Sequence, residues 1–145
     1  MGVRMVDVHA KTPQYREATA SGEIQLKPET VNRIRDGKVE KGDPFQIATL
    51  AGIQGAKMTP TIIPLCHPIP IENTSVQFEL TDSGVKATAK VVATAKTGVE
   101  MEALTALATA LLNIWDVVKM YEKNEAGQYP TTQILNIKVV EKVKR

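Results

Sequence analysis

The sequence is poor in the residues that build disulfides, metal sites and aromatic platforms. It has one cysteine, Cys66, two histidines, His9 and His67, and an aromatic content of 4%. A single cysteine excludes an intramolecular disulfide and is typical of a reducing compartment. These three residues match no zinc-ligand spacing, so we expect no metal site. The scarcity of aromatics argues against a stacking platform for single-stranded nucleic acid.

Strong charge and long apolar runs are also missing. The formal net charge of +2 is too small to indicate nucleic-acid binding by itself. No uninterrupted apolar run approaches the ~18 residues that cross a bilayer, and the first residues, MGVRMVDVH, lack the apolar core of a signal peptide. We therefore expect one cytoplasmic domain over residues 1–145, with an irregular stretch at 1–14, and no membrane or nucleic-acid partner.

Alternating and helical periodicities predict an α+β fold. Alternation predicts strands at 15–26, 71–80, 85–95 and 134–143, the middle two joined in a hairpin. Pro28 and Gly37 bracket a short helix, and Asp43 with Pro44 begins a second helix that runs to about residue 56. With a long helix at 97–123, the order is that of the ferredoxin-like split β-α-β-β-α-β fold, an antiparallel sheet with helices packed on one face.

The long helix has a predicted start and a predicted core face. Thr97 and Glu100 are spaced as a capping box, in which each side chain would bond the other residue's backbone N–H. The stripe expected to face the core consists of Leu104, Leu107, Leu111, Ile114, Trp115 and Val118.

The opposite side of this helix carries Glu102, Thr109 and Asp116, which are seven residues apart and stack along one line. The line has two interpretations. It is either a solvated face with Asp116 paired to Lys119 at i,i+3, or a half-wet face over a cleft or subunit interface. Leu112 and the low charge of the helix's middle third favour the second interpretation.

Candidate binding residues occur in loops and at the ends of elements. Lys41 precedes a helix N-terminus, which favours an anion, although taken alone the favoured interpretation is a lysine of a solvated loop. Lys57 is followed by IPLCHP at 63–68, where flanking prolines restrict His67 for phosphate binding or proton transfer. The alternatives are a histidine bonded to a backbone carbonyl and, for Cys66, a small buried apolar residue. Arg16 begins the apolar face of a strand, where a charge needs a partner.

The inventory of reactive groups is cations and carboxylates. Neither a nucleophilic Ser/His/Asp set nor a metal-binding cluster is recognisable. Such an inventory suits a polyphosphate-bearing ligand whose chemistry is proton transfer.

Five sequence segments together resemble one family. They are KGDxF at 41–45, AGIQxAKxT at 51–59, IPLCHP at 63–68, KTGVEMEALT at 96–105 and DVVK at 116–119. In this order and spacing they are similar to the cyclic pyranopterin monophosphate synthase family of molybdenum cofactor biosynthesis. The resemblance covers about residues 5–135, including MVDV at 5–8.

The resemblance implies a lyase-type rearrangement. The implied substrate is (8S)-3',8-cyclo-7,8-dihydroguanosine 5'-triphosphate, whose purine ring is opened and reclosed while the triphosphate becomes a cyclic phosphate with loss of pyrophosphate. It also implies a homohexamer, a trimer of dimers with sites at the dimer interface. No cofactor is expected, apart from any magnesium that accompanies the triphosphate.

The same resemblance implies roles for individual residues. Asp116, Lys119 and Lys41 match the family's catalytic aspartate and two lysines. The residues expected to line the substrate site are Leu65, Cys66, His67, Met101, Glu102, Glu100, Arg16 and Lys57. Since nearby cations lower the pKa of a lysine, we expect lowered pKa values for Lys41 and Lys119, which would then act as acid and base, and we expect Asp116 to orient Lys119.

The C-terminus departs from the family pattern. Where the family has a glycine-rich loop resembling KSGGKSG, this chain ends NIKVVEKVKR. Lys138 is our candidate for the family's loop lysine, with a simple basic tail as the alternative. Two other functions stay open at this point: a non-catalytic nucleotide-binding subunit, and a purely structural oligomer module.

Overall fold

A four-stranded antiparallel sheet, covered on one face by helices, forms the frame of the protein. The computed structural model describes residues 1–145, and its sheet has the strand order β2-β3-β1-β4. The strands are β1 (Gln14–Gln25), β2 (Ile71–Thr81), β3 (Gly84–Ala95) and β4 (Gln133–Lys144). The helices are α1 (Pro28–Arg35), α2 (Pro44–Lys57), α3 (Thr59–Ile62) and α4 (Glu100–Glu122). The predicted ferredoxin-like fold is confirmed.

The core lies between α4 and the two central strands. Every second residue of β3, and of β1 from Ala18 onward, points toward the helices and is buried, and most of these are alanine or valine, including Ala20, Ala89 and Val91. Because these strand side chains are small, α4 lies close to the sheet and fills the remaining space with its own larger residues. Its fully buried leucines and isoleucine are Leu107, Leu111 and Ile114, and burial of each such side chain contributes about 1.5–3 kcal/mol.

Two glycines let α2 cross α4 at close range. A Cβ placed on Gly55 would lie 2.6 Å from Oγ1 of Thr109, and one on Gly52 would lie 3.2 Å from the carbonyl oxygen of Ala106. Thr109 is therefore in contact with α2, and the predicted polar line along α4 is interrupted at its midpoint. The interpretation of this line as one solvated face is wrong, because the α2–α4 packing takes its central position.

The start of α4 differs from the predicted capping box. The helix begins at Glu100, its N-cap residue is Val99, and no side chain caps it. The Glu100 carboxylate instead folds back over Gly98, where an added Cβ would lie 1.9 Å from Oε1. The Lys142 ammonium of β4 lies 3.2 Å from that oxygen, close enough for an ion pair though outside hydrogen-bond geometry. A tertiary ion pair thus replaces the local cap.

The end of α4 contains a buried carboxylate that sequence reasoning missed. Glu122 is fully buried and accepts hydrogen bonds from the hydroxyl groups of Thr30 and Thr132 and from the backbone N–H of Lys27, at 3.1 Å. Lys27 is the N-cap residue of α1, which has no side-chain cap of its own. The Glu122 carboxylate therefore ties α1 and the segment before β4 to α4.

By length and composition α4 could cross a membrane. Its 23 residues include a sufficiently apolar window, of which 50% is buried inside the domain. Because its apolar side packs on the sheet, α4 has the burial of a core helix.

Candidate functional site

Three charged residues form a cluster at the C-terminal half of α4. Asp116 and Lys119 belong to the helix, and Lys41 reaches it from another part of the chain. The Lys119 ammonium lies 2.9 Å from Oδ1 of Asp116. The Lys41 ammonium, from the loop between α1 and α2, lies 3.3 Å from Oδ2 and donates to the Asp116 carbonyl oxygen at 3.2 Å. The fold thus brings the three residues predicted to be catalytic together, across 75 positions of sequence. All three side chains are between 39% and 57% exposed.

Each partner in this cluster stabilises the other's charge. Hydrogen bonds from Lys119 and then from Lys41 lower the pKa of Asp116 below its ordinary value. The same contact with Asp116 raises the pKa of Lys119. Our expectation of a lowered pKa at Lys119 is therefore wrong for this chain, because a carboxylate, rather than other cations, is its nearest charged neighbour. Near neutral pH Asp116 is a carboxylate and Lys119 an ammonium.

The loop that carries Lys41 is closed by a helix cap. Oδ1 of Asp43 accepts the backbone N–H of Phe45 at 2.9 Å, which confirms Asp43 as the N-cap of α2. Gly42 has φ of 124°, a conformation that other residues rarely adopt. Lys41 therefore lies just before a sharp turn into α2. Its side chain extends over α4 to Asp116.

The N-terminal end of α4 holds a different kind of carboxyl group. Glu102 is only 1% exposed. The interpretation of the polar line as a solvated face is therefore wrong at this residue. The thiol of Cys66 donates to its Oε2 across a long 3.9 Å contact, while its Oε1 is buried without a partner. Burial is the main cause that raises the pKa of Glu102 and also that of Cys66. This end of the helix thus offers an under-bonded carboxyl group in a dry environment.

A basic cleft lies beside the same end of α4. Its volume is about 170 Å³, and its lining includes Arg16, Glu100, Lys142 and Lys144. Arg16 lies on β1, and its Nε donates to the carbonyl oxygen of Ala95 at 3.4 Å. With three cations and two carboxylates, Glu17 and Glu100, the cleft has a net excess of one positive charge, which favours an anion.

Of these two lysines of β4, Lys142 lines the basic cleft and Lys138 does not. Lys138 pairs with Ser21 across β1 and β4 and lines a separate depression with Glu23 and Lys86. Lys142, which our sequence reasoning missed, reaches Glu100. The signal that distinguishes them is the strand register, including two irregularities between β1 and β4, and a single sequence does not reveal it.

The other predicted site residues are exposed or half-buried. Leu65 and Met101 are exposed, and His67 directly follows Cys66 and is half-buried. Lys57 is the exposed last residue of α2. Neither His67 nor Lys57 forms an ion pair, so both are free to contact a ligand. No group of three His, Cys, Asp or Glu residues is arranged to hold a metal ion.

The two ends of α4 are separate within one chain. Glu102 and Asp116 are 14 residues apart, which is about 21 Å along a helix. The α2 backbone crosses α4 between them, against Thr109. One chain therefore presents two partial sites, one at each end of α4, and does not bring all the predicted residues around one cavity.

Fold and site together define a class of protein. A ferredoxin-like domain here combines a lysine–aspartate–lysine cluster suited to proton transfer with a basic cleft suited to phosphate groups. This combination is that of an enzyme acting on a small phosphorylated substrate.

Comparison with known proteins identifies the family. The model of the MoaC family matches residues 5–144, and the chain belongs to this family. A protein of Thermococcus kodakarensis is 54% identical over 143 residues, covering 99% of this chain and 92% of the relative. A protein of Pyrococcus abyssi is 52% identical, covering 99% and 90%, and one of Methanospirillum hungatei is 51% identical, covering 98% and 91%. Each is named a probable cyclic pyranopterin monophosphate synthase.

Proposed function

We propose that the protein is a cyclic pyranopterin monophosphate synthase. It would convert (8S)-3',8-cyclo-7,8-dihydroguanosine 5'-triphosphate to cyclic pyranopterin monophosphate, with release of pyrophosphate, in the cytoplasm and without a cofactor. Family membership and the names of relatives above 50% identity support the activity. The observation that carries the catalytic part is the contact of Lys41 and Lys119 with one carboxylate, Asp116.

The Lys41–Asp116–Lys119 cluster would supply the proton transfers. Opening and reclosing the purine ring needs protons moved on and off nitrogen and oxygen. Lys119 is held as an ammonium by Asp116, so it has a proton to donate to a leaving nitrogen or oxygen, and its raised pKa makes it a weaker acid than an ordinary lysine. Lys41, which shares the same carboxylate, would complete the exchange as the second acid–base group, and Asp116 would orient both.

The N-terminal end of α4 would hold the substrate. Arg16 and Lys142 would bind phosphate oxygens in the basic cleft, together with His67 and Lys57. Glu102 has a raised pKa because it is buried, and a protonated carboxyl group there could donate a hydrogen bond to the base. The apolar surface of Leu65 and Met101 would contact the ring.

A second copy of the chain would complete the site. The two partial sites lie about 21 Å apart on one α4, so we propose that the Asp116 end of one protomer meets the Glu102 end of another. The proposed assembly is a homohexamer, a trimer of dimers, with sites at the dimer interface. Large apolar side chains exposed on the helical side are available for that interface: Leu50, Met58, Ile62, Leu65, Met101, Leu112 and Met120.

The decisive experiment measures pyrophosphate and pterin product from the cyclised nucleotide, with and without EDTA. We expect one pyrophosphate per product for the unaltered protein, continued turnover in EDTA, and a fall of about 10²- to 10⁴-fold in the rate of both products in Lys41→Ala. Lys123→Ala, which removes an exposed lysine at the end of α4, is the matched control and should keep activity.

Two other outcomes would support the rival functions. Plain GTP binding as tight as that of the cyclised nucleotide, with no pyrophosphate release, would indicate a nucleotide-binding subunit. A Lys41→Ala variant with lower thermal stability and undiminished turnover would indicate a structural module.

A further inference from the structure

The loop that carries Lys41 is tied to α4 at a second point, beyond Asp116. The backbone N–H of Glu40, the residue before Lys41, donates to the phenol oxygen of Tyr121 at 2.9 Å. Tyr121 lies in the last turn of α4. The loop therefore touches α4 through one backbone group and through the Lys41 side chain, about five residues apart along the helix.

Tyr121 is itself held by Arg33, from the last turn of α1. The guanidinium carbon of Arg33 lies 4.3 Å from the centroid of the Tyr121 ring, a cation–π contact. The same side chain donates from Nη1 to the carbonyl oxygen of Lys38 at 3.2 Å. Arg33 and Tyr121 thus hold the loop at two neighbouring backbone positions, the carbonyl of Lys38 and the N–H of Glu40.

The loop needs such anchors because it has a glycine near each end, and glycine has more backbone freedom than other residues. Gly37 and Gly42 both have positive φ, 67° and 124°. A lysine side chain adds several rotatable bonds to this freedom. Without the two anchors, many loop conformations would place the Lys41 ammonium away from Asp116.

We propose that Tyr121, braced by Arg33, is a positioning residue that fixes the Lys41 ammonium over Asp116. The inference rests on the proposed catalytic role of Lys41. Tyr121 itself touches no reacting group in this arrangement, so its effect on the reaction passes entirely through the loop.

The contact is separable from the stability of the fold. Glu40 is exposed, so water can accept its N–H when the phenol oxygen is removed, and no buried donor is left unpaired. Tyr121→Phe keeps the ring that packs on the core and under Arg33. The variant should therefore fold normally and change only the placement of the loop.

The test compares Tyr121→Phe with Lys41→Ala and with the double variant. We expect Tyr121→Phe to lower kcat about 3- to 10-fold, the range for one lost hydrogen bond, with KM changed less than about 2-fold and Tm unchanged. Because Tyr121 acts through Lys41, adding Tyr121→Phe to Lys41→Ala should cause no further loss of turnover.

Two arginines of α1 provide a matched pair of variants. Arg33→Ala removes the brace and should lower kcat at least as much as Tyr121→Phe. Arg35→Ala removes a side chain of the same helix turn that bonds Asn32 and lies 3.7 Å from Asp82, and that forms no hydrogen bond with the loop or with Tyr121. It should leave kcat unchanged.

The outcomes distinguish this inference from the proposed function. If Lys41→Ala turns over normally, the catalytic role of Lys41 is wrong and the positioning role falls with it. If Lys41→Ala is impaired while Tyr121→Phe has full kcat, or while the two losses multiply in the double variant, the catalytic role stands and the positioning role is wrong.

Discussion

Two carboxyl groups on the same helix have opposite environments. Glu102 is buried and its Oε1 has no partner, whereas Asp116 is exposed and lies within 3.3 Å of two ammonium groups. Burial raises the pKa of Glu102, while hydrogen bonds from lysines lower that of Asp116. Helical position made the two residues look equivalent. The neighbours that the fold places around them shift the two pKa values in opposite directions.

The difference suggests a division of labour between the ends of α4. A carboxyl group that holds its proton is a hydrogen-bond donor, and a carboxylate between two ammonium groups is an anchor for acid–base lysines. The following predictions test this contrast, starting with the change expected to have the largest effect.

Loss of Lys119 should nearly abolish turnover. Lys119→Ala removes the proposed proton donor, and general acid–base catalysis contributes about 10²–10⁴-fold, so we expect kcat to fall by about 10³-fold. The side chain is 42% exposed, so Tm should stay near that of the unaltered protein. Pyrophosphate release measures the rate, and Lys123→Ala is the control. Near-normal turnover of Lys119→Ala would rule out its proposed role.

Glu102→Gln should lower activity and raise stability. We expect turnover to fall by less than about 10-fold, since the amide NH2 group can still donate the hydrogen bond that a protonated carboxyl group would give. Because the folded pKa is raised, the unfolded chain loses its proton first, and the wild-type protein loses stability as pH rises through and above the ordinary value of 4.5. The variant should therefore have the higher Tm at pH 7 and no advantage near pH 4. A lower Tm at pH 7 would contradict the buried-carboxyl assignment.

Where α2 crosses α4, Gly55 should tolerate replacement by no larger residue. Gly55→Ala would place a methyl group 2.6 Å from Oγ1 of Thr109, and overpacking of this kind costs about 1–3 kcal/mol. Calorimetry should show a Tm lower by several degrees, together with reduced activity because both ends of the site move. Gly2→Ala, where nothing lies within 4 Å, is the control. An unchanged Tm for Gly55→Ala would show that the helices can separate without cost.

The substitution expected to have the smallest effect is Asp116→Asn, and the effect is on stability. Its pKa is lowered in the folded protein, so its ion pairs stabilise the fold above the ordinary value of 3.8 and are lost as pH falls through the lower folded value. Asp116→Asn should lower Tm slightly near pH 6, and the difference should shrink as pH falls below 3.8, the ordinary value of the aspartate pKa. Thermal melts across this range measure it. A difference that grew on acidification would have the wrong sign.

The sequence predicted the frame of the protein better than its contacts. Strand alternation and the glycine and proline signals located all four strands and the longer helices to within a few residues, since these patterns are local. The capping box failed because Glu100 has a tertiary partner, Lys142. Glu122 went unnoticed because its three partners come from the start of α1 and the segment before β4.

The sequence predicted which residues form the catalytic cluster, but it did not predict how the parts of the site are arranged. Lys41, Asp116 and Lys119 meet as expected. The pKa of Lys119 was predicted in the wrong direction, since the distance to Asp116 is a property of the fold. The separation of the two ends of α4 required the position of α2, which depends on how Gly52 and Gly55 pack.

Subunit mixing tests the central claim most directly, namely that the Asp116 end of one protomer and the Glu102 end of another form one site. Lys119→Ala and Glu102→Ala, which removes the hydrogen-bond donor altogether, would first be shown to lack most of the activity alone, then unfolded together and refolded at equal concentrations. In a two-fold dimer, half of the random pairs are mixed and one of their two sites is intact, so about a quarter of wild-type activity should return. Activity that stays at the level of the separate variants, in assemblies shown to be mixed, would contradict the account.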